Sequence, residues 1–130
     1  MSTENIIISR VSSKKEMKEF VRFNYELYKD NPYAVPDLLE DTLDTFNKKK
    51  NPAFRFCEAE WFLARRNGKI VGRICAIINH KANEQWNQKT VRFGWIDFID
   101  DIEVSGLLLQ AVEDWGKERG MNKMVGPLGF

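Results

Sequence analysis

The chain opens with NIIISRV, a short β-branched apolar run, and then turns polar. Ser13 followed by Glu16 is a capping-box pattern and predicts a helix through KKEMKEFVRFNYELYKD. Met17, Phe20, Val21, Leu27 and Tyr28 share one face at helical spacing, with Asn24 interrupting the stripe. The two prolines of NPYAVP bias their predecessors toward extended backbone, so the helix must break there. Asp37 is expected to cap a second helix, LLEDTLDTFNKK, with Glu40 completing a second box, and NPAF ends it. EAEWFLARR and KIVGRICAII are β-type runs joined by Asn67-Gly68, a strong hairpin signal because both residues tolerate positive φ. NHKANEQWNQK reads as a polar loop. TVRFGWIDFI reads as a strand with apolar residues on both faces beyond Gly94, as a doubly covered central strand requires. Val104, Leu107, Leu108, Ala111, Val112 and Trp115 then form the stripe of an amphipathic helix, and Gly120 suits its left-handed C-terminal position. MNKMVGPLGF predicts one more short strand.

The predicted order is therefore β-α-α-β-β-β-α-β. Strand, helix and strand over residues 91–127 predict a right-handed parallel crossover, while the hairpin before them is antiparallel. The class is α+β, a mixed β-sheet with flanking helices.

At 130 residues the chain is read as a single domain, 1–130. Its 43% apolar and 30% charged content is that of an ordinary globular protein. A formal net charge of +1 supplies no field for nucleic acid or an anionic membrane. No apolar run approaches the roughly 20 residues that span a bilayer, and the N-terminal run is too short for a signal-peptide core. Cys57 and Cys75 show no C-x-x-C spacing, and His80 is the single histidine, so neither a disulfide framework nor a metal site is expected. These features predict a cytoplasmic, metal-free domain.

The element order, together with LYKDNPYAVPDL, NPAF, NGKIVGRICAIIN, FGWIDFIDD and AVEDWGKERGMNKMVGP, resembles the GNAT acyltransferase superfamily, and within it a group of bacterial GNAT-like proteins. The resemblance covers nearly the whole chain. Such proteins run on beyond the equivalent of GPLGF, so the chain is expected to be the N-terminal portion of a GNAT-like fold, C-terminally incomplete. The resemblance implies an N-acetyltransferase-like activity, with acetyl-CoA or another acyl-CoA as cofactor and a small-molecule amine as acceptor. Its alternative is a non-catalytic GNAT-fold binding or assembly module. In such folds the central strand parts from the strand after the crossover helix, and the wedge between them holds the pantetheine arm.

Carried over residue by residue, the resemblance places the family's pyrophosphate loop, [Q/R]-x-x-G-x-[G/A], on residues 101–106. Gly106 matches the last small residue, whereas Val104 stands for the glycine and Asp101 for the leading Gln or Arg. The loop is thus degenerate, with cofactor-binding candidates Ile99, Asp101, Val104, Ser105 and Gly106. Valine disfavours positive φ, and Asp101 places negative charge where a pyrophosphate would lie. The acids serve equally as helix caps and dipole partners. Asp97, in an otherwise apolar strand, is the candidate catalytic base; the alternative is a strand-end aspartate bonded to backbone or to an arginine such as Arg73. Tyr25 and Tyr33, beside the first inter-helix loop, are candidate substrate-binding residues. A last strand without a following partner would expose its edge and favour a homo-oligomer.

Overall fold

The computed structural model describes residues 5–32 and 39–128. The elements are β1 (Ile6–Arg10), α1 (Lys14–Tyr28), α2 (Leu39–Thr45), a 3-10 turn (Pro52–Arg55), β2 (Cys57–Arg66), β3 (Lys69–Asn79), α3 (His80–Gln85), β4 (Thr90–Phe98), α4 (Ile102–Glu118) and β5 (Lys123–Val125). The helix α3 replaces the first half of the expected polar loop. The Asn79 side chain accepts from the Ala82 N–H at 2.9 Å, an N-cap that starts a helix in a sequence with no apolar stripe to announce one. The Ser13 hydroxyl likewise accepts from the Glu16 N–H at 3.1 Å, while the Glu16 carboxylate returns to Ser12 rather than Ser13. The expected Asp37 cap lies outside the described residues.

The strands form one sheet in the order β1-β2-β3-β4-β5, antiparallel through β4, with β5 parallel to β4. Asn67 and Gly68 adopt φ of 53° and 77°, the two positive values of a two-residue hairpin turn. One face of the sheet carries α4: Val104, Leu108, Val112 and Trp115 pack on Phe62, Ile74, Ala76, Ile78 and Val91. The other carries α1 and α2, where Phe20 and Val21 of α1 and Phe46, just past the end of α2, pack on Trp61, Leu63, Cys75 and Ile77. Burying each large side chain of these layers contributes about 1.5–3 kcal/mol. The helix α4 sits tight on the sheet at Gly72, where an added Cβ would lie 2.8 Å from Leu108 Cδ1 and 2.9 Å from Val104 Cγ1. Leu107, expected in the buried stripe, is exposed instead, because the six-residue stripe is wider than the strip that touches the sheet.

A β-bulge in β4 sets the position of the candidate site. Arg73 pairs with Asp97 and Cys75 with Gly94, so Ile74 of β3 faces two residues of β4, Trp95 and Ile96. Trp95 takes the kink, with φ of 45°, uncommon for a residue that has a side chain. Val91 and Phe93 face α4, and strict alternation would send residues 95 and 97 the same way. The extra residue reverses the phase: Ile96 joins the α4 layer, Trp95 the α1–α2 layer. Asp97 thereby reaches the α1 side. Gly94 within a strand was the local sign of such a bulge.

Candidate functional site

Asp97 lies at the centre of a polar cluster drawn from three elements. Arg73 of β3 donates from Nε at 2.9 Å and from Nη2 at 2.7 Å, both to Asp97 Oδ2. Arg73 is 2% exposed; its Nη1 donates to the Phe20 carbonyl at 3.0 Å, and its guanidinium lies 5.1 Å from the Phe20 ring centroid. From α1, the Tyr28 hydroxyl donates to Asp97 Oδ1 at 3.1 Å, and Asn24 Nδ2 approaches Oδ2 at 3.5 Å. Every buried charge here is paired, as burial demands. The arrangement is the arginine-bonded alternative raised for Asp97, with Tyr28 added. Tyr28, at 37% exposure, is the member most open to solvent. Partial burial, then the charge and the hydrogen bond of Asp97, push its phenol above the ordinary value, with Arg73 opposing, so it remains a donor at neutral pH. The stripe-interrupting Asn24 was the sequence's only sign that α1 turned a polar group inward.

The start of α4 is the second assembly. Asp101 is the N-cap: Oδ1 accepts from the Glu103 N–H at 2.9 Å, and its backbone carbonyl accepts from the Val104 and Ser105 N–H groups. Oδ2 pairs with Arg66 Nη2 at 2.6 Å. The Arg66 hydrogen bond, followed by that from the Glu103 amide, holds the Asp101 carboxyl below its ordinary range. Val104, in the first turn of α4, is fully buried against the sheet, and Ser105 Oγ donates back to the Ile102 carbonyl at 3.0 Å. Gly106 sits within the helix and is exposed, with open space where a Cβ would be. Ile99 is half-buried at the end of β4, and its N–H donates to the Val71 carbonyl at 3.0 Å. The structure thus brings Ile99, Asp101, Val104, Ser105 and Gly106 to one corner. The Glu103, Val104 and Ser105 amides of the first turn are engaged by Asp101 itself.

Between the two assemblies runs the outer edge of β4. The strand β5 pairs with β4 only at Thr90, Val91 and Arg92, and beyond it the Leu128 N–H donates to the Phe93 carbonyl at 2.8 Å. From Trp95 to Phe98 no strand among the described residues covers that edge. Tyr25 is half-buried on α1; Tyr33 lies outside the described residues.

Other reactive side chains are accounted for by structure. Cys57 and Cys75 are buried free thiols, and burial pushes the Cys75 thiol well up. His80 Nε2 lies 2.8 Å from Glu58 Oε2, and Arg119 Nε donates to Glu58 Oε1 at 2.9 Å. Burial raises the Glu58 carboxyl, but these partners outweigh it and leave it below the ordinary value. Among the described residues no three His, Cys, Asp or Glu side chains converge as a metal site, and no helix is long and apolar enough to cross a membrane.

No protein-family model matches the chain. It is 36% identical over 118 residues to Protein YghO of Escherichia coli (strain K12), across 91% of this chain and 30% of that protein. It is 34% identical over 121 residues to Bacterial ceramide synthase of Caulobacter vibrioides, across 92% of this chain and 32% of that one. The chain thus spans about a third of the length of the curated relatives it matches. Solved GNAT proteins and acetyltransferases share its fold. One is the aminoglycoside N-acetyltransferase AAC(6')-Iy in complex with CoA, with a TM-score of 0.66 and 19% identity over 98% of this chain and 80% of that one. The fold is GNAT-like: a mixed five-stranded sheet with flanking helices, of the kind that acyl- and acetyltransferases use.

Proposed function

We propose that this GNAT-like chain is part of an acyl-CoA-dependent N-acyltransferase, with acetyl-CoA or another acyl-CoA as donor and a small-molecule amine as acceptor. The observation that carries the reading is the edge of β4 from Trp95 to Phe98, which no strand among the described residues covers. A strand edge with unpaired backbone groups is suited to pairing with a chain of amides, and the pantetheine arm is one. The relative named a ceramide synthase also supports it, since ceramide is an amide and its synthesis an N-acylation.

When bound, the donor supplies a thioester carbonyl open to attack; the chain's residues manage the amine's proton. Asp97 is shielded by Arg73, Asn24 and Tyr28, so an amine reaches it through the exposed phenol. The Tyr28 oxygen accepts a proton from the ammonium form of the acceptor while the phenolic proton passes to Asp97, and this frees the nitrogen lone pair to attack. The new C–N bond replaces the C–S bond, and the proton that the nitrogen sheds on becoming an amide passes through water to the departing thiolate. Tyr25 and the Tyr33 region would contribute to the acceptor side.

Asp101 favours a second reading, a non-catalytic binding or assembly module. Its carboxylate takes the Glu103 amide and the Arg66 guanidinium, donors that suit a phosphate, so the α4 end does not fit a pyrophosphate as it stands. Calorimetric titration with coenzyme A and acetyl-CoA separates the two. Micromolar binding supports the transferase; absence of heat and of thermal shift at millimolar ligand leaves the module.

A further inference from the structure

A groove of about 530 Å³ runs between the second half of α1 and the β2–β3 turn, on the same face as Asp97. Its floor is apolar, made by Phe23, Leu27, Ile70 and Ile99. The volume falls within the range of roughly 300–1,000 Å³ usual for small-molecule sites. The rim is charged. Glu26 and Lys29 pair with each other at 3.8 Å, which leaves Arg22 and Lys69 against a single acid, Glu19. Neither Arg22 nor Lys69 makes an ion pair among the described residues. An apolar trough under an excess of positive charge is complementary to an alkyl chain that ends in an anion.

We propose that this groove binds the alkyl chain of a single-chain anionic lipid, with its head group at Arg22 and Lys69. The inference goes beyond the acyltransferase reading and does not depend on it: a free anionic lipid has no leaving group on an acyl carbon, so it is a ligand held beside the candidate site and not the acyl donor. The groove opens at Ile99, just past the end of β4 and two residues beyond Asp97, so a chain lying in it would run next to the candidate site. A long alkyl chain has no room in the layers on either side of the sheet, where the core residues are close to fully buried.

The test uses dodecyl phosphate, octyl phosphate, inorganic phosphate and dodecylamine, each below its micelle threshold, followed by backbone amide shifts. Dodecyl phosphate should bind saturably, with shifts confined to residues 19–29, 68–70 and 99. Each methylene taken into the groove is worth about fourfold in affinity, so octyl phosphate should bind at least tenfold more weakly. Inorganic phosphate should not bind measurably. Leu27→Asp should remove the site. The exposed double variant Arg22→Glu/Lys69→Glu leaves the floor intact and should reverse the preference from dodecyl phosphate to dodecylamine. Equal binding of both amphiphiles by the native chain, unchanged preference in the double variant, or shifts centred on the exposed Ile102 would overturn the proposal. No coenzyme A is present, so the outcome is independent of whether the donor binds.

Discussion

Asp97 and Asp101 each take an arginine from the β2–β3 hairpin, Asp97 from Arg73 and Asp101 from Arg66, and the two pairs are put to different uses. The Arg73–Asp97 side chains are 3% and 13% exposed, and the pair binds α1, β3 and β4 together. The Arg66–Asp101 side chains are 16% and 26% exposed, and the pair caps one helix. Removing charges from water costs several kcal/mol per ion, so the deeper pair persists only because its remaining lone pairs and N–H groups are also satisfied. The shallower pair faces solvent that can replace either partner. The lesson is that burial, more than distance, decides whether an ion pair is fixed architecture or a displaceable plug; the Arg66–Asp101 contact is the shorter of the two.

The sharpest way to break this contrast is Arg73→Met. It strands a buried carboxylate, and urea denaturation should register a loss of about 3–5 kcal/mol; a loss no greater than that of Arg66→Met would erase the distinction. Tyr28→Phe comes next. It removes one hydrogen bond to Asp97 and should lower stability by about 0.5–1.5 kcal/mol. In an active enzyme it should depress kcat more than KM, because the phenol passes the proton and does not hold the donor.

Asp101→Asn should have a smaller effect on stability and the opposite effect on ligand binding. The amide still caps α4 but removes the charge that opposes a pyrophosphate, so coenzyme A should bind more tightly. Its pH signature has a definite sign. The folded Asp101 carboxyl lies below 3.8, so its contribution is complete above that value and is lost as pH falls through the lowered one. The native chain should therefore lose stability in that acid window faster than Asp101→Asn does, measured as melting temperature against pH. The smallest expected effect is self-association: no strand among the described residues pairs with the outer edge of β5, and light scattering should reveal oligomers that a charge or proline on that edge abolishes. A strict monomer at high concentration would refute it.

Local chemistry was legible in the sequence where neighbours on the chain decide the outcome. The Asn67-Gly68 turn, the Ser13 cap and the α4 stripe are of this kind; such features led to the predicted element order and the α+β class, and the GNAT-like reading came from the resemblance of that order and its sequence segments to a known family. The partner of Asp97 was legible only as one possibility, because Arg73 lies 24 residues away and the register that joins them depends on the bulge. Arg66 was not foreseen for Asp101, 35 residues distant. The helix α3 was missed because a side-chain cap, rather than an apolar face, starts it. Tyr28 was expected in the core; its ring is part of the α1 stripe, but its hydroxyl reaches past the stripe to Asp97.

The kink at Trp95 works like a change of reading frame in the sheet. Upstream of it, odd-numbered side chains of β4 belong to the α4 layer; downstream, they belong to the α1 layer. A substitution at any one position leaves that frame alone. Deleting the one extra residue between Gly94 and Asp97 would restore plain alternation and still leave Asp97 opposite Arg73, whereas flattening the bulge with every residue kept would turn the carboxylate toward Val104 and Leu108, with Arg73 left on the far side of the sheet. The chemistry of this chain therefore depends on the bulge as much as on the identities of its residues.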